Sequence, residues 1–136
     1  MGRHEQREQI FKLLFRVEFN SADEMPEQVK LFLEDRETVV YEKDAVYISE
    51  RFEKVREKLP EIDKLINDNT EGWDTTRMGK VELTILRLAV YEIRFDEDVP
   101  DSVAINEAVE IAKAYGQENA GGFVNAILAK IVKLGD

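Results

Sequence analysis

Residues 81–93 read Val-Glu-Leu-Thr-Ile-Leu-Arg-Leu-Ala-Val-Tyr-Glu-Ile. On a helical wheel Val81, Leu83, Ile85, Leu86, Leu88, Ala89, Val90 and Ile93 fall on almost every side. A helix apolar on most sides must be enclosed by other helices, so this segment belongs in the middle of a bundle. Upstream, Asp74-Thr-Thr offers several capping oxygens, and the predicted helix runs over 78–95.

The segments on either side keep a period near 3.6, punctuated by only three Pro and seven Gly. Ile10, Leu13, Leu14 and Val17 form the stripe of an amphipathic first helix over about 4–19. Asn20–Met25 reads as a turn, after which Pro26 opens a short second helix. A charged third helix is expected over 45–59, with Val46, Ile48, Phe52, Val55 and Leu59 inward. Pro60 opens a fourth that ends near Asn69. Beyond the loop at Asp96–Pro100, Asp101 or Ser102 should cap a helix over 103–115. Its inward face is Ile105, Ala108, Val109, Ile111, Ala112 and Tyr115, and Gly116 is expected to end it in a left-handed conformation. The last helix spans about 119–134 on Phe123, Val124, Ile127, Leu128 and Ile131. No strand pattern, repeat or low-complexity run interrupts this. The predicted fold is all-α, six to seven helices in one domain over 1–136, with an N-terminal helical subdomain over about 1–72 and a C-terminal one over about 73–136.

Composition narrows the function. The 136 residues hold 43% apolar and 35% charged side chains, the balance of a folded protein. There is no Cys, which excludes disulfides, a thiolate nucleophile and Cys-ligated zinc, and a single His leaves no metal-ligand cluster. No metal and no cofactor is expected. Asp96, Glu97 and Asp98 read as a solvated turn, since no nucleophile or histidine base accompanies them. Neither a phosphate-binding GxxxxGK[ST] loop nor a GxGxxG fingerprint occurs, so no catalytic residue is assigned and no enzyme is expected. No apolar run approaches the roughly 20 residues of a membrane span, and the polar start lacks a signal-peptide core, so the expected location is cytoplasmic.

The net charge of −10 is unevenly spread. Residues 1–20 carry four Lys/Arg against three Asp/Glu, residues 21–72 eight against fifteen, and residues 73–136 seven against eleven. The acidic body repels phosphates, so any nucleic-acid binding should be local and helped by a partner. Arg3 and Arg7 lie four apart, sharing the face that continues into Ile10 and Leu14. The apolar stripe thus turns basic at its N-terminal end, where Arg3 and Arg7, with His4 beside them, could grip phosphates or simply form a solvated first turn. Phe11 and Phe15 are a second i, i+4 pair; both fit a core, while an edge position would let Phe15 seat a partner. Gly121 and Gly122 precede Phe123 and cost about 1 kcal/mol each in a helix relative to Ala. They permit close approach of a neighbouring helix or a ligand. Phe123 itself fits either a core position or a platform for an unpaired base, worth roughly 1–3 kcal/mol.

The C-terminal half resembles the NusB family. The resemblance is carried by Glu82-Leu-Thr-Ile-Leu-Arg-Leu-Ala-Val-Tyr-Glu-Ile, by Val99-Pro, by Ala104-Ile-Asn-Glu-Ala-Val-Glu-Ile-Ala-Lys-Ala-Tyr-Gly and by Phe123-Val-Asn-Ala-Ile-Leu. Arg7-Glu…Leu13-Leu-Phe15 is similar to the family's first-helix pattern, and Trp73…Arg77 to its central linker. The resemblance implies a NusB-like bundle of two packed helical subdomains acting in transcription antitermination on ribosomal RNA operons. The implied partners are boxA RNA, the ribosomal small-subunit protein NusE and, through them, the Nus-factor/RNA polymerase complex. Carried over by position, Arg3, His4 and Arg7 would contact RNA from the first helix, and Asn119 and Phe123 from a second patch. Phe15 and Glu82 would face NusE. Two departures from the family pattern bear on RNA affinity: Glu5 and Glu8 dilute the basic first helix, and Gly122 stands where a basic residue often precedes Phe-Val-Asn. Ala126 also replaces the usual glycine after the Asn. The first two favour a composite RNA site completed by the partner, whereas Ala126 bears on helix packing. Alternative readings are a protein-only interaction module or homodimer, and a NusB-like domain of a ribosomal-RNA methyltransferase. The last is disfavoured because no methyltransferase domain follows within the sequence.

Overall fold

A computed structural model describes residues 1–35, 37, 39 and 41–134. Among them are seven α-helices and no strand: α1 Arg3–Phe15, α2 Met25–Glu34, α3 Glu42–Glu57, α4 Leu59–Asp68, α5 Lys80–Phe95, α6 Asp101–Tyr115 and α7 Ala120–Leu134. The all-α expectation holds. The chain divides into two compact units, Met1–Glu57 and Lys58–Asp136.

In the first unit α1 packs on α3, burying Ile10, Phe11, Leu13 and Leu14 against a core that includes Ile48, Phe52 and Val55. The end of α1 tightens into a 3₁₀ turn, Arg16–Glu18, where a longer α-helix was expected. At this turn the Arg16 guanidinium donates to the Gln28 carbonyl oxygen (3.3 Å) and side chain (3.1 Å) and lies 5.1 Å from the centre of the Phe32 ring. Asn20 closes the turn by donating to the Arg16 carbonyl at 2.8 Å. The third helix begins three residues before the expected start, and its buried face is Ala45, Ile48, Phe52 and Val55. Val46, expected inward, is 46% exposed because that face lies one position round the wheel.

In the second unit α5 is the centre, packed by α4, α6 and α7, and residues 83–92 are all buried. The helix over 59–68, grouped by sequence with the first subdomain, packs on α5 and α7 in this unit. Its anchor is a two-pronged ion pair: Arg87 Nε donates to Asp63 Oδ1 and a terminal nitrogen to Oδ2, both at 2.9 Å. The α5 helix therefore buries an arginine among its many apolar residues.

The expected caps differ. Pro100, not Asp101 or Ser102, occupies the cap position of α6, and both of those residues lie within the helix. Gly116 has an extended backbone (φ −94°, ψ −179°) rather than a left-handed one. Its glycine answers to crowding instead: a Cβ there would sit 2.6 Å from the Ala120 Cβ and 2.8 Å from the Ala112 carbonyl oxygen. Tyr115, expected inward, is 39% exposed, and Ile105 and Val109 are half-buried; the buried stripe of α6 is Ala104, Ala108, Ile111 and Ala112. The α6 helix packs on both α5 and α7, and Gly121 of α7 lies close to Val109.

Candidate RNA- and partner-binding surfaces

In the first unit, Arg3, His4 and Arg7 occupy the first two turns of α1. Arg3 and His4 are exposed and Arg7 is half-buried. Their side chains are already engaged within the unit. Arg3 donates to Gln6 Oε1 at 3.4 Å and stands 4.8 Å from the centre of the Tyr47 ring, while His4 Nε2 pairs with Glu8 Oε1 at 3.0 Å. Glu8 thus faces His4 on the same helix and offsets it when the imidazole is charged. At the other end of α1, about 18 Å along the axis at 1.5 Å per residue, stands Phe15. It is half-buried, with Phe11 at 6.3 Å on one side and Phe19 at 5.0 Å, edge-on, on the other. Phe11 belongs to the core, whereas Phe19 is 63% exposed. Phe15 is therefore an edge residue, continued outward by an aromatic ring that periodicity did not single out.

In the second unit one recess of about 230 Å³ brings together Glu82, Asn119 and Phe123 with Trp73, Met78 and Gln117. Phe123 is neither core nor fully exposed. It is half-buried, and the Trp73 indole meets it edge-on at 6.1 Å between ring centres. Trp73 is 52% exposed. Glu82, half-buried in the first turn of α5, folds its carboxylate back over Gly79, where a Cβ would collide with it. Asn119 precedes α7 and is exposed at the rim. Glu82 was expected on a surface apart from Asn119 and Phe123, yet all three line the same recess.

Local sequence builds the Trp73 wall. Gly72 has φ +75°, a left-handed conformation that costs a side-chain-bearing residue about 1–2 kcal/mol. The Thr70 hydroxyl donates to the Trp73 carbonyl at 2.7 Å, and Asn67 Oδ1 accepts the Thr75 N–H at 2.8 Å. Asp74 Oδ1 accepts the Thr76 hydroxyl and the N–H groups of Thr76 (2.9 Å) and Arg77 (3.1 Å). So Asp74-Thr-Thr caps the turn before α5, not α5 itself, whose cap position is Gly79. The Thr76 hydrogen bond holds the Asp74 carboxyl below the usual carboxylate range. Trp73 was read from sequence only as part of a linker; the available signal was a lone Trp in a polar loop directly after a glycine.

Among the described residues no cluster of three or more His, Asp or Glu could hold a metal ion, and no helix is long and apolar enough to cross a membrane. What the two units offer is recognition chemistry: a basic helix end, an aromatic edge and an aromatic–amide recess.

The NusB family profile matches residues 4–133. The transcription antitermination protein NusB of Lachnoclostridium phytofermentans is 48% identical over 132 residues, covering 97% of this chain and 99% of that protein. The T. maritima NusB structure superposes with a TM-score of 0.87 at 38% identity, over 98% of this chain and 92% of that one. A chain from a crystal structure of antitermination factors NusB and NusE in complex with dsRNA superposes with a TM-score of 0.84 at 26% identity, over 97% of this chain and 96% of that one. With seven helices in the family's arrangement and a profile match over almost its whole length, this chain belongs to the NusB family.

Proposed function

We propose that this protein is a transcription antitermination factor that binds boxA RNA of ribosomal RNA operons together with NusE. It acts by binding in the cytoplasm, within the Nus-factor/RNA polymerase complex, and catalyses no reaction. The observation that carries the reading is the recess in which the exposed Trp73 and half-buried Phe123 stand beside Asn119 and Gln117. Half-exposed aromatic rings give unpaired bases a stacking surface, and amide side chains hydrogen-bond base edges. Similarity to a chain crystallised with NusE and dsRNA supports the same assignment.

In this reading Arg3, His4 and Arg7 take phosphates, Asn119 and Phe123 take bases, and Phe15 and Glu82 meet NusE. The net charge of −10 opposes RNA at long range. NusE therefore completes the RNA site rather than merely accompanying it.

The test is fluorescence anisotropy of labelled boxA RNA titrated with the protein alone and with NusE. Tightening by NusE, with log affinity falling against log salt by about 0.7 per phosphate contact, is the expected result. Absence of binding in both titrations overturns the proposal in favour of a protein-only module.

A further inference from the structure

The basic end of α1 rests on one face of α3. Asp44, Tyr47 and Arg51 recur at i, i+3 and i+7 and so share that face. Asp44 is buried at 2% exposure, and its Oδ1 accepts the Gln6 side-chain amide at 3.0 Å. Gln6 in turn accepts from Arg3. Arg3 lies 4.8 Å from the centre of the Tyr47 ring and Arg51 lies 5.8 Å from it, both within the roughly 6 Å over which a ring face attracts a cation. One aromatic ring therefore gathers two guanidiniums from two helices. By sequence Arg51 counts toward the acidic stretch 21–72; the fold brings it to the same ring as Arg3.

Two guanidiniums at one ring offer neighbouring phosphates of a strand a pair of charge-assisted donors. Both side chains are held by the ring before any ligand arrives, so less rotamer freedom is lost on binding. Arg3 is exposed, and Tyr47 and Arg51 are half-buried. We propose that Arg51 is a further phosphate ligand for RNA beside Arg3, and that Tyr47 is the positioning residue that holds Arg3 for the same role. This rests on the RNA-binding reading of α1 and adds a second helix to it.

The full-length protein is titrated with labelled boxA RNA in the presence of NusE at several salt concentrations. Arg51→Ala is expected to weaken binding about three- to tenfold and to make the salt dependence shallower by about 0.7. Tyr47→Leu should give a comparable loss, and Tyr47→Phe, which keeps the ring, should restore the affinity and salt slope. Melting curves accompany each variant; if Tyr47→Leu melts early, Arg51→Ala decides. An unchanged affinity and slope for Arg51→Ala overturns the proposal. The double variant Arg3→Ala/Arg7→Ala separates the two levels. If it weakens RNA binding while Arg51→Ala does not, only the α3 contribution is wrong; if neither does, the RNA role of α1 itself is wrong.

Discussion

The Trp73 indole stands edge-on to the Phe123 ring, 6.1 Å between centres at 73°, joining the loop before α5 to the first turn of α7. Such edge-to-face pairs contribute about 0.5–1.5 kcal/mol beyond the area they bury, yet Trp73 keeps 52% of its surface exposed. An aromatic pair held in place but left half open suits stacking by a third ring. Trp73 is the single tryptophan, so its fluorescence reports on this recess alone. Addition of boxA RNA with NusE should quench it. Phe123→Ala should cost about 1–3 kcal/mol of RNA affinity, roughly five- to 150-fold. Quenching without an affinity loss in Phe123→Ala would assign the stacking to Trp73 only.

Glu82 lines the same recess as Asn119 and Phe123, so under the proposed function RNA and NusE would meet there. Glu82→Lys replaces a carboxylate with a cation beside the aromatic pair. RNA binding by the protein alone should tighten about fivefold, or 1 kcal/mol, while NusE binding weakens by a similar factor. Isothermal titration with NusE and anisotropy with RNA measure the two effects independently. Parallel loss of both affinities would mean that Glu82 supports the recess structurally.

The Asp63–Arg87 pair ties α4 to α5 through two 2.9 Å bonds, with the arginine side chain 11% exposed. Asp63→Ala leaves that guanidinium without its carboxylate in a poorly solvated position. The expected loss is about 2–3 kcal/mol, seen as a Tm lowered by several degrees. Thermal melting by circular dichroism checks this, and a shift under one degree would show that water replaces the carboxylate without penalty.

Asp74 gives a pH signature. Its carboxyl is lowered first by the Thr76 hydroxyl and further by the backbone groups it caps, so the folded value lies below the unfolded one of about 3.9. A depressed carboxyl stabilises the fold above its unfolded pKa, and that contribution disappears as pH falls through the folded value. The Tm difference between the parent and Asp74→Asn should therefore be largest near neutrality and close below about pH 4. A difference that does not shrink at all as pH falls below about 4 would assign the effect to shape rather than charge.

Much of the fold was legible because helical periodicity and Pro/Gly punctuation are local properties. The enclosed α5 could be read directly from Val81–Ile93. Where the wheel failed, it failed in detail: Val46 faces out because Ala45 sets the inward stripe, and Gly116 is needed for Ala120 and Ala112 rather than for a left-handed turn. The candidate surfaces divide in the same way. The clustering of Arg3 with Arg7 follows from spacing, and the edge position of Phe15 was one of two open readings. Phe19, four residues on from Phe15, continues that edge at the same spacing, whereas Tyr47 and Arg51 joined the basic end through a chain reversal no wheel contains.

By itself the amino-acid sequence determined that this protein is all-helical, that α5 is buried, that cysteine chemistry is excluded and that its one basic end lies at the start of α1. Those follow from residue types and a 3.6-residue repeat, which act within a turn or two. Only the tertiary structure decided that Glu82, Asn119, Phe123 and Trp73 share one recess and that one tyrosine collects arginines from two helices. The physical reason is that such sites are made by side chains dozens of residues apart, meeting only when helices close on a common core.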